Sequence, residues 1–174
     1  MINDLRDFAK LEGFKLHLEP SLFPIHEVVY ETMGILMEDI RAAKMNVQMA
    51  VSDDLPPIIT DRTHVEQIVT NLLSNAVKYT DEGGHIQVRA EVRTDFVHLA
   101  VSDTGVGIDE KELKRLFEPF FCSEDPFVRA RQGTGLGLVI VKMLVERQGG
   151  ELTVESVKGE GSTFAFSVPV AGEQ

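Results

Sequence analysis

A two-layer α/β sandwich, with a mixed and mostly antiparallel sheet covered on one face by helices, is the fold class this sequence predicts. Three observations carry that expectation. Apolar residues recur at helical spacing near residues 25–43, 61–79 and 137–148. Period-two alternation marks strands at 47–51, 85–92, 96–102, 151–155 and 162–169. Tight connections at Thr94-Asp95 and Lys158-Gly159-Glu160-Gly161 join neighbouring strands into antiparallel pairs.

Taken in order, the elements have local reasons. Leu5, Phe8 and Leu11 have helical spacing in a stretch too short to stand alone, and Gly13 and Pro20 punctuate a loop. Val28, Val29, Met33, Leu36, Met37 and Ile40 share one side of the first long helix. Asp53-Asp54-Leu55-Pro56-Pro57 is a turn. Asp61 is an N-cap for the next helix, because its carboxylate can accept from the first free backbone N–H groups. Gly83-Gly84 ends that helix. A short helix is expected at 110–116, then a polar, irregular, lid-like segment at 123–132. The run Leu138-Val139-Ile140-Val141 marks the last helix as well buried.

The chain has 174 residues, 43% of them hydrophobic, enough for one domain with a core. Its net charge of -11 argues against a nucleic-acid or anionic-membrane binder, which needs clustered Lys and Arg. An acidic chain that holds a polyanion must concentrate positive potential locally. Cys122 is the one cysteine, so a disulfide framework is excluded, and a cytoplasmic setting is the expectation. No apolar run approaches the roughly 18–20 residues of a membrane span. A longer parent anchored in a membrane remains compatible with this.

Four motifs are candidates for chemistry. In the second long helix Gln67, Asn71, Asn75 and Lys78 form one polar stripe, and Asn is a poor helix-interior residue. Amide oxygens suit Mg²⁺ and an ammonium suits phosphate. A solvated helix face explains the stripe equally well. Asp103-Thr104-Gly105-Val106-Gly107 follows a strand, so its carboxylate could accept the exocyclic amine of adenine. A capped turn is the simpler explanation of that motif alone. Gly133-Thr134-Gly135-Leu136-Gly137-Leu138 opens a helix, where backbone N–H groups and the helix dipole favour an anion. It lacks the Gly-Lys-Ser/Thr of a Walker A loop, and glycines for helix–sheet packing are the alternative. Gly159-Glu160-Gly161-Ser162-Thr163-Phe164 is a hairpin turn at the least.

In this order, with Glu118-Pro119-Phe120-Phe121 between the second and third, the motifs resemble the ATP-binding catalytic domain of sensor histidine kinases, in the GHKL superfamily. The likeness runs from about residue 27 to 170. It implies the GHKL ATPase fold and Mg-ATP as ligand. It implies that Asn75 is the Mg²⁺ ligand with Asn71 beside it, that Lys78 contacts phosphate and that Tyr79 lies beside the nucleotide. Asp103 would accept from adenine, with Gly105, Val106, Gly107 and Ile108 shaping that wall. Gly133, Thr134, Gly135, Leu136, Gly137 and Leu138 would border the phosphates at the base of a mobile lid. Thr163 would support adenine, and Phe120 would anchor the lid with Phe117 and Phe121. The lid departs from common patterns, being short and without a glycine before Gly133; Arg129 or Arg131 could reach the γ-phosphate, and ordinary surface arginines explain them equally well.

ATPase members of that superfamily carry a glutamate where this chain has Asn71, so the resemblance is to the kinase branch. The family's acceptor motif, His followed by an acidic residue and a nearby Pro, is absent. His17, His26, His64, His85 and His98 therefore read as structural or surface residues. Residues 1–22 are expected to be the end of a dimerisation helix and a linker, residues 23–170 the ATP-binding domain and residues 171–174 a tail. The implied partners are an upstream histidine-bearing dimerisation domain and a response regulator. The implied parent is a homodimer and this fragment a monomer. A serine kinase of the same superfamily, and a nucleotide-binding module without catalysis, are the rival expectations.

Overall fold

The computed structural model describes residues 5, 6, 8, 9, 18–131 and 133–172. Strand β1 (Pro20–Phe23) leads into helix α1 (Ile25–Ala42), and strands β2 (Asn46–Ala50) and β3 (Ile58–Asp61) precede helix α2 (Arg62–Tyr79). The hairpin of β4 (His85–Arg93) and β5 (Phe96–Asp103) is followed by two short helices, α3 (Glu110–Leu113) and α4 (Pro126–Ala130). Helix α5 (Gly137–Arg147) and the hairpin of β6 (Leu152–Val157) and β7 (Gly161–Pro169) complete the order.

The main sheet runs β2-β4-β5-β7-β6. Its β2/β4 pair is parallel, and the other three pairs are antiparallel. The mixed, mostly antiparallel sheet expected from the sequence is therefore present. One face of it is apolar: Val97, Leu99 and Val101 of β5 and Phe164, Phe166 and Val168 of β7 are buried against the helices. Ile68, Leu72 and Leu73 of α2, and Ile140 and Leu144 of α5, fill the same core. Each such side chain, fully buried, contributes roughly 1.5–3 kcal/mol. Helix α2 lies between α1 and α5 and over β5, which sets its polar stripe along the edge of the core.

Several expectations change. Strands β1 and β3 pair antiparallel, with Leu22 opposite Ile59, so β1 straddles the expected boundary at residue 22. Four residues are too few for alternation to show, and Pro20, Pro56 and Pro57 read as breakers. Leu5, Arg6, Phe8 and Ala9 are helical, and the loop expected around Gly13 lies outside the described residues. Helix α3 ends at Leu113, short of the expected 116. The lid segment is not wholly irregular, because Asp125 caps a turn of helix that has Pro126 at its first position.

Asp61 is the cap the sequence predicts. One of its carboxylate oxygens accepts from the His64 backbone N–H at 3.2 Å, and the other accepts from the Glu19 backbone N–H at 3.0 Å. The His64 ring is buried, and its Nδ1 has no hydrogen-bond partner, lying 3.7 Å from Asp61. Burial pushes its pKa below 6.5; Asp61 opposes that shift and Arg147 adds to it. The unfolded chain thus binds the proton more readily, so stability from this group is full above pH 6.5 and is lost as pH falls below it. Thermal melting across about pH 5 to 8 should show an acid-side fall in the wild type. His64→Gln should flatten that fall; an unchanged slope would remove His64 as its source.

Candidate functional site

A cavity of about 740 Å³ opens beside the C-terminal half of α2. Asn71, Asn75, Lys78 and Tyr79 of α2 form one wall, and Asp103, Val106, Gly107 and Ile108 of the loop after β5 form another. Phe121, Cys122, Ser123, Val128 and Arg129 lie along the lid, and Gly133, Thr134, Gly135, Gly137 and Leu138 along the approach to α5. Ser162 of β7 closes the floor. Helical spacing brings residues 71, 75 and 78 to one face, and the strand end brings Asp103 to theirs across the cavity.

At the floor, Asp103 Oδ1 accepts from the Gly105 N–H at 2.8 Å, and the carboxylate also accepts from the Ser162 N–H. Burial nonetheless raises its pKa above the ordinary 3.8, with the two backbone donors opposing that shift. The loop that follows is built on close approach. Val106 N–H donates to the Tyr79 carbonyl at 3.1 Å, and Gly159 N–H donates to the Val106 carbonyl at 2.8 Å. Gly107 has φ +60, and a Cβ there would overlap the Val157 carbonyl. A Cβ on Gly161 would likewise overlap the Asp103 carbonyl. These two glycines let the β6–β7 hairpin lock against the loop.

At the other end, Asn71 Nδ2 donates to the Gln67 carbonyl at 3.0 Å. Its Oδ1 then faces α5, 2.9 Å from where a Cβ on Gly137 would sit. The Asn75 amide lines the cavity and has no hydrogen bond among the described residues. Lys78 Nζ lies 5.0 Å from the Tyr79 ring centre and 3.4 Å from the Cβ position of Gly133. Helix α5 starts at Gly137 with no side-chain cap, so its N-terminal donors have no such partner there. Gly135, at φ +68, accepts from the Phe120 N–H at 3.0 Å. This end offers amide oxygens, an ammonium and a helix N-terminus, which together suit a phosphate chain.

The structure thus brings together Asn71, Asn75, Lys78, Tyr79, Asp103, Val106, Gly107, Ile108, Gly133, Thr134, Gly135, Gly137 and Leu138. Five expected residues fall outside the lining. Gly105 acts through the Asp103 turn. Leu136 is buried core. Phe120 is exposed and meets the Phe8 ring edge-on at 6.2 Å. The Arg131 guanidinium stacks on Phe127 at 3.2 Å and donates to the Phe127 carbonyl, while Arg129 reaches the cavity. Thr163 points to the uncovered face, where its hydroxyl meets that of Ser102 at 2.9 Å. Strand alternation places Ser162, in phase with Phe164 and Phe166, on the cavity side instead. That phase was readable in the sequence.

Residues 60–172 match the family model for the histidine kinase-, DNA gyrase B-, and HSP90-like ATPases. The chain belongs to this family. The sensor histidine kinase GacS of Pseudomonas protegens is 39% identical over 97% of the chain. The chain spans about a fifth of the length of such curated relatives. Full-length ShkA, solved in complex with AMPPNP, superposes with a TM-score of 0.85 at 31% identity, covering 99% of this chain and 35% of that one. Histidine kinase ThkA, solved with the response regulator protein TrrA, gives 0.75 at 25% identity, covering 98% of this chain and 49% of that one. The matched family is one of ATPases, and its fold implies that ATP is bound.

Proposed function

We propose that this chain holds Mg-ATP and passes its γ-phosphoryl group to a histidine on a separate helical domain. The observation that carries this is one cavity with a buried carboxylate at one end and amide oxygens, an ammonium and a helix N-terminus at the other. Asp103 accepts from the exocyclic amine of adenine, and Ser162 and Val106 to Ile108 enclose the base. Lys78 and the α5 N-terminus hold the phosphates. Among the described residues no group of three His, Cys, Asp or Glu side chains could hold a metal by itself. A cation in this cavity would share ligands with phosphate and water, which suits Mg²⁺, and Asn75 with Asn71 offers the neutral oxygens. Bound there, Mg²⁺ would neutralise charge on the phosphates.

The chain's own contribution to the step is position. A neutral imidazole nitrogen on the acceptor attacks the γ-phosphorus in line; an N–P bond forms, the P–O bond to ADP breaks, and ADP leaves. Asn71 has no basicity to activate water, which favours transfer over hydrolysis. Residues 1–22 are read as the approach to the acceptor domain, in a parent that is a homodimer, with residues 23–170 as the catalytic domain and this fragment a monomer. A response regulator follows as the next acceptor, in line with the ThkA–TrrA complex. No helix among the described residues is long and apolar enough to cross a membrane.

The test is transfer in trans. With γ-labelled ATP and an added histidine-bearing dimerisation domain, the partner should become labelled with acid-labile phosphate, while this chain alone stays unlabelled. Asn75→Ala should cut transfer by two orders of magnitude or more, with unchanged melting, because Leu72, Leu73 and Ala76 rather than Asn75 carry the packing. Label on this chain itself, or full transfer by the variant, would refute these assignments.

A further inference from the structure

The lid is tied down beside the cavity by a hydrogen-bonded chain whose outer pair, Asp125 and Lys158, lies outside the lining. Ser123 Oγ donates to Glu112 Oε1 at 2.6 Å, and the Glu124 N–H donates to the same oxygen at 3.2 Å. Ser123 Oγ in turn accepts from the Asp125 N–H at 3.1 Å. Asp125 Oδ1 caps α4 through the Phe127 N–H at 2.8 Å, and its Oδ2 pairs with Lys158 Nζ at 2.5 Å. A continuous chain therefore runs from Glu112, past the lid, to the tip of the β6–β7 hairpin. Both ends are anchored to the purine wall. Glu112 lies in α3, which Asp109 caps immediately after Ile108. Lys158 sits between Val157, against which Gly107 packs, and Gly159, which donates to Val106.

Two features set the Lys158–Asp125 pair apart from the cavity contacts. Lys158 is not part of the cavity lining, whereas Glu112, Ser123 and Val128 are. Its charge is directed at the lid, and the pairing, followed by the cap bond, holds the Asp125 carboxyl below its ordinary value. Asp125 thus serves twice, once to start the lid helix and once to fix it to the hairpin. Val128 and Arg129, three and four residues after Asp125, line the cavity, so releasing this clasp frees that side of it.

We infer that the Lys158–Asp125 pair, with Ser123 and Glu112, is a gate that sets how fast nucleotide enters and leaves. The inference rests on the nucleotide reading of the cavity. Lys158 and Asp125 are positioning residues, acting through the lid. A gate and a binding contact differ in kinetics. Loosening a gate raises association and dissociation together and leaves Kd nearly unchanged, whereas losing a contact raises dissociation alone.

The experiment is stopped-flow binding of the fluorescent probe N-methylanthraniloyl-ADP. Lys158→Met and Asp125→Asn, the latter keeping a capping acceptor, should each raise both rate constants roughly two- to fivefold, the range of a partly exposed ion pair. The double variant should match either single one, since both remove the same interaction. Lys158→Arg should restore wild-type rates. Added salt should speed exchange in the wild type and not in Lys158→Met. A rise in dissociation alone, unchanged rates, or independent effects that multiply would each overturn the gate. The wild type and Asp103→Asn serve as the reference pair. Binding that is lost in Asp103→Asn while Lys158→Met exchanges at the wild-type rate would leave the nucleotide site standing and remove the gate. Absence of probe binding by the wild type would overturn the nucleotide reading and the gate with it.

Discussion

Asp103→Asn should weaken ATP binding by roughly ten- to a hundredfold while leaving the nucleotide-free protein at least as stable at neutral pH as the wild type. The first half follows from the carboxylate at the cavity floor. A hydrogen bond to a charged acceptor is worth about 1.5–3 kcal/mol, and an amide oxygen supplies a weaker one. The second half follows from the direction of the pKa shift. Burial raises the folded-state value above 3.8, so the folded chain binds the proton more readily than the unfolded one. Stability from this group is full below pH 3.8 and is lost as pH rises above it. At neutral pH the ionised carboxylate is thus a cost that the asparagine does not carry. Titrations with ATP and GTP, paired with melting curves, check both halves. ATP should lose its preference over GTP in the variant. A purely structural Asp103 would give the opposite pattern, with lower melting and intact selectivity.

Gly107→Ala should damage both stability and nucleotide binding, and Gly83→Ala gives the control. Both glycines have positive φ, +60 at Gly107 and +79 at Gly83. An alanine in that region costs about 1–2 kcal/mol on backbone grounds alone. A Cβ on Gly83 meets nothing within 4 Å, whereas one on Gly107 overlaps the Val157 carbonyl. Gly83→Ala should therefore lose only the backbone cost and bind ATP normally. Gly107→Ala must push the hairpin away from the loop, so its melting should fall further and its ATP affinity by more than tenfold. Equal losses in the two variants would show that the loop–hairpin approach is not what the site depends on.

The parts of this fold that were legible in the sequence are those where one local rule dominates. Asp61 caps α2, the amide stripe lies along one face of that helix, and both hairpins sit where alternation and turn residues put them. Asp103, Lys78, Gly107, Gly133, Gly135 and Gly137 reach a common cavity because they lie at element ends and in the loops that join them. What was not legible depends on contacts between distant segments. The β1–β3 ribbon is four residues long and recognisable only by its pairing. Arg131 was a reasonable reach for the γ-phosphate until Phe127, four residues earlier on the lid helix, captured its guanidinium. Assigning Thr163 rather than Ser162 missed a signal that was present, since Phe164 and Phe166 fix the inward phase of β7.

The place of β7 has a consequence for how this protein is made. Among the described strands it is the last in sequence, yet it lies inside the sheet, between β5 and β6. Until it emerges, β5 and β6 each present an open edge capable of pairing with other chains. Asp103 also lacks the Ser162 donor, and the Ile58–Val170 bridge that fastens the small ribbon is missing. A nascent chain that stops short of Gly161 thus has an incomplete sheet and lacks the Ser162 wall of the cavity. Completion of this sheet therefore waits for residues 161–169, and a product truncated before them carries exposed edges that favour aggregation or degradation.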